Sequence, residues 1–525
     1  MRKALRANVA KKPPTFTIQE PSPVKGWMSQ ENFAEADPQS AVILTNMFPE
    51  ADAVRARRGH TSFATGMSGA VQSLLRYVPA STGALFAAVG TEIYDVTSGG
   101  AVGAAAVTGL TNAWWQQTMF ATSAGQFMVI CNGANGVRTY DGSSWVDRTA
   151  SITGTSGAVD TFIALTAHKK RLWFVASSSM DLWYLATEAV AGAAIKFPVA
   201  ALFKRGGYVM AMGTYSVDAG DGMDDLFVIV TSEGEVAIYT GTDPASAFTW
   251  ELIGVYTIGK PLGRRCLFQV GGDLLVINED GVLPISKAIK IDRAVAGKEA
   301  ITANIRQAYV DAVQRARSVM GWEIVAFPLR NMALINVPGS GSTPTKQFAF
   351  NTITGAWALY DGMVSSCWAE FNGALYFGGT DKVFKAEYGA NDNGAAIVIT
   401  ALPAFSHLGA KGRLKHVKDL KFYISTDIAE AAFTSAVAVD YKEPTNLTGT
   451  SVTPSGSFFQ WDVTAWDGPS VWYGETILAG WTGSGNMGTV VAPYLKMNLD
   501  ADSAGAEFEF RWIATDYIFE HGGVV

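Results

Sequence analysis

Short apolar runs, each opened by a glycine or a polar turn, recur along the middle of the chain. The clearest covers residues 373–384, where an apolar strand at 375–377 meets a Gly-rich turn and a second short strand at 383–384. Similar runs start at residues 83, 125, 168, 225, 271, 321 and 373, so successive starts are 42, 43, 57, 46, 50 and 52 residues apart. A repeat of ~40–50 residues with several short strands is typical of β-propeller blades. We therefore predict an all-β chain with a β-propeller-like domain at residues 66–410; an ordinary sandwich with evenly spaced strands is the alternative.

Helical periodicity is clear in one place within that domain. Apolar residues recur at spacings of three and four between residues 301 and 320, which predicts a helix inserted between propeller units. A second, shorter helical stretch is predicted at residues 39–47. The uncharged window at residues 96–137 predicts blade loops followed by a buried strand near residues 127–130.

The pattern changes on both sides of the repeats. Residues 1–65 contain several prolines and are predicted to be an extended N-terminal arm and linker. After residue 410, Leu420, Phe422 and Ile424 alternate with polar residues, and residues 508–512 show the same period of two. This predicts a separate C-terminal β-sandwich domain at residues 411–525.

Charge is scarce and unevenly placed. Only 17% of the 525 residues are charged, against a typical ~25%. Residues 1–19 carry five cationic side chains and no acidic one, so the net charge of −7 leaves −12 for the rest. An acidic body does not favour a sequence-independent grip on nucleic acid, which requires many cations facing phosphates. Few charges also favour a homo-oligomer, whose interfaces are depleted in charge.

The residues that usually carry chemistry are scattered. Cys131, Cys266 and Cys367 form no metal-binding spacing and are predicted to be buried and reduced. The five histidines lack any HExxH partner, and neither a nucleophile elbow nor a P-loop occurs. We therefore predict no catalytic residue, no metal site and no cofactor. Two other classes stay open: a propeller glycosidase or lyase with paired carboxylates near its axis, and a monomeric propeller that serves as an interaction module.

Three groups of basic residues are candidate partner contacts. The first is more simply interpreted as an exposed strand face and the third as a guarded sheet edge. The second lies on the predicted helix, away from its apolar face, and that helix is more simply interpreted as a plug packed on the propeller rim. They are Arg55, Arg57 and Arg58; Arg306, Arg315 and Arg317; and Lys411, Arg413, Lys415 and Lys418.

Six short segments resemble a known family. Residues 41–49, 54–59 and 85–95, with the passage from 392–394 through 404–406 to 412–415, resemble the tail nozzle proteins (tail tubular protein B-like) and tail-hub proteins of short-tailed bacteriophages. The resemblance implies a non-enzymatic structural virion protein that is assembled in the host cytoplasm.

The resemblance also implies partners. Six copies would form a ring below the portal-adaptor ring, with tail fibre or tip proteins below, and DNA would pass through the lumen only in transit. No membrane-spanning segment is expected, because no apolar run reaches ~20 residues. The lumen wall is expected to be acidic or neutral, with the basic groups at residues 55–58 and 411–421 turned away from it.

Overall fold

The computed structural model describes residues 14–29, 36–80, 82–218, 223–290, 293–426, 432–442, 450–452, 477–478, 481–500 and 508–524. These residues are mainly β-strands and form two compact units. The second unit consists of residues 58–355 and 360–393; the first contains the described residues up to 57, residues 356–359 and those from 394 onward. No helix in the described part is long and apolar enough to cross a bilayer.

The second unit is a propeller of small antiparallel sheets, and the described residues form seven, which we call blades 1 to 7. The strands of blades 1 to 4, from the inside outward, are residues 71–77, Ala84–Val89 and Glu92–Asp95; Gln116–Thr122, Gly125–Cys131, Val137–Tyr140 and Trp145–Asp147; Phe162–His168, Arg171–Ala176, Asp181–Tyr184 and Ile195–Pro198; and Val209–Asp218, Met223–Thr231, Glu235–Gly241 and Trp250–Thr257.

Blades 5 to 7 complete the propeller. Their strands are Leu267–Val270, Asp273–Asn278 and Gly281–Pro284; Glu323–Phe327, Met332–Val337 and Lys346–Asn351; and Cys367–Phe371, Ala374–Gly378, Thr380–Ala386 and residues 60–70. Two short pairings are also present: the strand Gly100–Ala101 pairs with residues 64–65, and the strand Ile152–Thr153 pairs with Gly192–Ala193. Short 3-10 turns lie at Thr149–Ser151, Ala158–Thr161, Ala200–Leu202 and Pro328–Arg330.

The blades close into a ring. From blade 2 to blade 7 the innermost strands contact one another in chain order. The innermost strand of blade 7 contacts the long strand His60–Tyr77, which in turn contacts the second strand of blade 2. That strand serves two blades: residues 60–70 pair with Thr380–Ala386, and residues 71–77 begin blade 1. Since an early segment completes the last blade, the ring is locked by hydrogen bonds between the two ends of the propeller sequence.

The repeated runs found in the sequence correspond to a defined position in these blades. Six of the seven starts lead into the second strand of a blade, and the start at 321 leads into the first strand of blade 6. The turn before the second strand often requires positive φ, as at Gly271 (+57°) and Gly373 (+70°), where glycine carries no steric penalty. The predicted propeller-like fold is therefore confirmed.

Hydrophobic clusters lie between neighbouring blades. Between blades 3 and 4, Trp173 packs against Phe227 with ring centroids 4.6 Å apart, and Trp250 stacks on Trp173 at 5.5 Å. Comparable clusters join blades 1 and 2, 2 and 3, 4 and 5, and 7 and 1. Burying an aromatic or aliphatic side chain contributes roughly 1.5–3 kcal/mol, so the stacking of blades supplies much of the propeller's stability.

The closing strand is also fixed at its start. His60 is buried, and its Nδ1 lies 3.0 Å from Oδ1 of Asp392. The rings of Phe377 and Phe384 both lie in T-shaped contact with the imidazole, at centroid distances of 5.0 Å. This contact holds the first residues of the propeller against the turn that follows blade 7.

Helices follow the third strand of blade 5. They are α1 (Ile285–Ala288), α2 (Arg293–Glu299) and α3 (Arg306–Ala316), with a 3-10 turn at Ile301–Ile305 before α3. The predicted helix at 301–320 is thus confirmed over α3, but the expectation of a single helix is wrong. Helices of four and seven residues are too short to produce a recognisable periodic pattern.

The first unit contains two β-sheets. One is built on the long strands Arg413–Thr426 and Phe510–Val524, which pair with each other. Arg413–Thr426 also pairs with Ile477–Leu478, Trp481–Gly483 and Met487–Gly488. Phe510–Val524 also pairs with Thr15–Pro21 and Val54–Ala56, and Val54–Ala56 pairs with Met47–Pro49. The other runs through Gly26–Trp27, Ser40–Thr45, Ile397–Pro403, Val491–Leu499, Phe433–Val439 and Thr450–Val452, and the strand Trp357–Tyr360 pairs with its first two members.

The two sheets of this unit contact each other where Phe422 meets Phe433, with ring centroids 5.6 Å apart. Leu420, Phe422 and Ile424 are all buried, as their alternation predicted, and so are Phe508, Phe510 and Trp512. The sequence also predicts strands at residues 458–463 and 471–473, which lie outside the described residues.

The unit boundaries differ from the predicted ones. The predicted arm and linker at 1–65 instead contributes strands to the first unit up to residue 57 and to blade 7 from residue 60, and the first unit resumes at residue 394 rather than 411. Residues 39–47, predicted to be helical, contain the strand Ser40–Thr45. The β-branched residues Val42 and Ile43 favour a strand, and pairing with Ile397–Pro403 decides in favour of it.

Candidate functional site on the propeller axis

A cavity of about 410 Å³ lies among the innermost strands of the propeller. Its lining residues come from blades 1, 2, 5, 6 and 7, which places it on the axis of the ring. Seven polar side chains contribute to its wall: Arg76, Gln116, Gln117, Arg265, Gln269, Glu323 and Glu370. A concave site with several convergent polar groups is where ligand binding is expected first.

Arg265, just before the first strand of blade 5, connects four blades across the axis. One side of its guanidinium, Nη1, donates to Glu323 Oε2 in blade 6 at 3.0 Å. The other side, Nη2, donates to the Gln72 carbonyl (3.0 Å) and Ser73 Oγ (2.5 Å) in blade 1, and to the Trp115 carbonyl (3.2 Å) beside blade 2. The guanidinium also lies over the ring of Trp114, 5.4 Å from its centroid.

Glu323 extends this connection to a fifth blade. Its Oε1 accepts a hydrogen bond from the backbone N–H of Trp368 in blade 7, while Oε2 accepts the one from Arg265. Burial raises the pKa of Glu323, and Arg265 and the Trp368 N–H act in the opposite direction. Because both carboxylate oxygens are engaged, Glu323 acts in the free protein as a link between blades.

Arg265 also lines a second cavity, of about 170 Å³, at the N-terminal ends of the innermost strands. Arg264 and Arg317 line it as well, together with Trp114 and Tyr208, and its wall contains no carboxylate. Burial lowers the pKa of Arg264, which is the direction expected for a cation held away from water.

Sequence reasoning did not single out Arg264, Arg265 or Glu323. The available signal for this site was a pair of adjacent arginines just before a strand of the repeat, in a chain with few charges. The partner of Arg265 lies 58 residues away, so only the closure of the ring brings the pair together.

The first predicted basic group is not an exposed face. Arg55, Arg57 and Arg58 are all buried, with exposed fractions of 3%, 0% and 6%. Arg55 Nε donates to Glu50 Oε1 at 2.9 Å, and Arg57 Nε donates to Asn46 Oδ1 at 2.8 Å. The expectation that this strand is exposed to solvent is therefore wrong, because these cations find acceptors within the chain.

The helix group is exposed, in agreement with its predicted position away from the apolar face. Arg306 and Arg315 lie on the solvent side of α3, whereas Tyr309, Ala312 and Ala316 are buried. Arg317 follows the helix, lies 3.9 Å from Glu279 and is the one member of this group that lines an axial cavity.

The third group lies on a central strand rather than on a sheet edge. Arg413–Thr426 pairs with Phe510–Val524 on one side and with three short strands on the other. Lys411 and Arg413 are exposed, and Lys418 forms an ion pair with Glu520 at 2.9 Å. Lys415 is fully buried, and its Nζ donates to the carbonyls of Ala410 (2.8 Å), Arg413 (3.0 Å) and Thr489 (2.6 Å).

Replacing Lys415 by alanine is expected to lower the free energy of unfolding of the first unit by about 2 kcal/mol, since three buried carbonyls lose a charged donor. Urea unfolding of the full chain measures this. Lys411→Ala, four residues earlier and exposed, is the control and is expected to change stability by less than about 0.5 kcal/mol. Equal effects of the two substitutions would contradict the structural role of Lys415.

The cysteines are free and buried, as predicted. Burial raises the pKa of Cys266 and of Cys367 to about 12, and it also raises that of Cys131. Thiols in this state are weak nucleophiles. Within the described ranges, no group of three or more His, Cys, Asp or Glu residues is arranged to hold a metal ion.

Comparison with known proteins adds little to this description. No protein-family model matches the chain, and no curated protein matches it. The solved structures that are similar in part include BBS1N in complex with ARL6DN (12% identity, 44% of this chain and 73% of that chain, TM-score 0.30) and Chaetomium thermophilum Raptor (8% identity, 64% and 29%, TM-score 0.40). Both TM-scores are below 0.5, so the fold assignment rests on the strand pairing of the chain itself.

Proposed function

We propose that this chain is a structural subunit of the tail nozzle or hub of a short-tailed bacteriophage. Six copies assemble into a ring that encloses a conduit for DNA and contacts the portal adaptor above and fibre or tip proteins below. The family is proposed from the segments that resemble tail nozzle proteins. The observation that carries the structural role is the use of interior charges as links within the chain.

Arg265 and Glu323 are the main example, because together they connect five blades across the propeller axis. Arg57 and Lys415 are fully buried and donate to acceptors in the first unit. Cations and acids used in this way favour a rigid scaffold. Since Arg265 crosses the axis of the propeller, the proposed passage for DNA is the bore between copies rather than the axis of one propeller.

The size of the purified chain tests the assembly. Native mass spectrometry and electron microscopy are expected to show a ring of six copies. A chain that stays monomeric at all accessible concentrations would instead support the interaction-module alternative.

A second test concerns the wall of the ring. Binding of duplex DNA to the assembled ring is expected to be weak at both 50 and 200 mM salt, because the body of the chain carries an excess of acidic residues. Each phosphate contact adds about −0.9 to the slope of log affinity against log salt. Tight binding with a slope steeper than about −5 would mean five or more phosphate contacts and would overturn the proposed non-binding conduit.

One observation favours an enzyme as the second candidate. Glu323 and Glu370 both line the larger axial cavity, and a propeller glycosidase needs two carboxylates near its axis. Glu370, however, accepts a hydrogen bond from the Gly373 N–H at 3.0 Å and lies 3.7 Å from Arg76. Turnover of bacterial surface polysaccharides that disappears in both Glu323→Gln and Glu370→Gln would establish the enzyme; no turnover by the wild-type chain would favour the structural role.

A further inference from the structure

The smaller axial cavity holds a concentration of positive charge. Arg264, Arg265 and Arg317 all line it, and its wall contains no acidic side chain. Two of these arginines have partners elsewhere: Arg265 pairs with Glu323 at 3.0 Å, and the exposed Arg317 lies 3.9 Å from Glu279. Arg264 is the third arginine, and its positive charge has no acidic partner in the described part of the chain.

Arg264 is held in place without a counter-ion from the described part of the chain. Its Nη1 donates to the Asn132 carbonyl at 3.4 Å, and no described carboxylate lies within 4.0 Å of its guanidinium. Burial raises the pKa of the nearby Cys131 thiol, so this thiol is neutral at pH 7 and supplies no negative charge. The Arg264 side chain is partly buried, and a cation that is partly withdrawn from water without a counter-ion is destabilising, which favours an anion at this position.

The local backbone brings the guanidinium to the cavity. Gly133 has φ of +81°, and a Cβ there would lie 3.3 Å from Arg264 Nη1 and 2.8 Å from Ile163. Any larger residue would therefore press on the guanidinium. The absence of a side chain at Gly133 lets Arg264 pack directly against the turn after the second strand of blade 2.

Size limits the ligand. The cavity of about 170 Å³ is below the ~300 Å³ at which sites for drug-sized ligands begin. Guanidinium groups bind phosphate and carboxylate oxygens through pairs of parallel hydrogen bonds. We propose that this cavity is a binding site for a small oxyanion, a phosphate or a carboxylate group, with Arg264 as its principal ligand and Arg265 and Arg317 beside it.

Isothermal titration of the full chain tests this proposal, which does not depend on the proposed function. Inorganic phosphate and glucuronate are the two probes, and they distinguish a free phosphate from a carboxylate carried on a sugar. Saturable binding of either is expected, and Arg264→Gln is expected to weaken it by roughly tenfold or more. Arg205→Gln, an exposed arginine of the same unit that lines neither cavity, is the control and should bind as the wild type does.

Thermal unfolding provides a second readout that separates binding from folding. Without added oxyanion, Arg264→Gln is expected to be at least as stable as the wild type, because a partly buried charge without a counter-ion has been removed. Added phosphate or glucuronate is expected to raise the Tm of the wild type and not that of the variant. No saturable binding of either probe, or a strongly destabilised Arg264→Gln chain in their absence, would overturn the proposal.

Discussion

Glu323→Ala is expected to lower the free energy of unfolding of the propeller by about 3–5 kcal/mol, the usual cost of removing one partner of a buried ion pair. The substitution leaves Arg265 on the propeller axis without its carboxylate and leaves the Trp368 N–H without its acceptor. The links from blade 6 to blades 5 and 7 are lost together, whereas Arg265 keeps its hydrogen bonds to Gln72, Ser73 and Trp115. Urea unfolding of the full chain, followed by tryptophan fluorescence, measures the change.

Two further variants determine what the result means. Lys260→Gln removes an exposed ion pair with Glu233 in the same unit and is expected to cost no more than about 1 kcal/mol. The double variant Arg265→Met, Glu323→Met removes both charges. Its loss of unfolding free energy is expected to be smaller than the summed losses of the single variants Arg265→Met and Glu323→Met. A Glu323→Ala chain as stable as Lys260→Gln, or strictly additive effects, would show that the axial pair does not couple the blades.

The propeller is expected to lose about 3 kcal/mol of stability between pH 6.5 and pH 4 through His168 alone. Burial lowers the pKa of His168 to about 4 from its ordinary 6.5, Lys169 acts in the same direction, and Asp225 opposes it. The imidazole is buried against Phe227 and Trp250, and its Nδ1 lies 3.0 Å from Thr214 Oγ1.

The sign follows from proton binding. Below pH 6.5 the unfolded chain takes up a proton at His168 that the folded chain does not bind until about pH 4, so acid favours unfolding. The contribution of this residue is fully present above pH 6.5 and is lost as the pH falls to about 4.

Stability curves against pH for the wild type and His168→Gln test this, since glutamine keeps a polar group and does not titrate. The difference between the two curves is expected to vary by about 3 kcal/mol over this range. Thr214→Val removes the hydrogen-bond partner but leaves the imidazole buried, so it should keep the wild-type pH dependence. A His168→Gln curve parallel to that of the wild type would refute the role of His168.

Much of the fold was determined by local pattern. Each blade repeats a strand, a tight turn and a strand, and these short-range signals are carried by residues that stand next to one another, as at residues 373–384. The period of two at Leu420, Phe422 and Ile424 likewise identified which face is buried. Helix α3 was predictable because it is long enough for its apolar face to repeat.

The tertiary structure alone decided which charges are buried and with what they pair. Arg57 and Lys415 belong to basic runs typical of exposed strands, and they are buried because acceptors from Asn46 and from the Ala410 and Thr489 carbonyls come to them. Arg265 meets Glu323, Ser73 and Trp115 only when the ring closes. Sequence periodicity reports which residues avoid water, but the partner of a buried charge is set by contacts between distant segments, and those exist only in the folded chain.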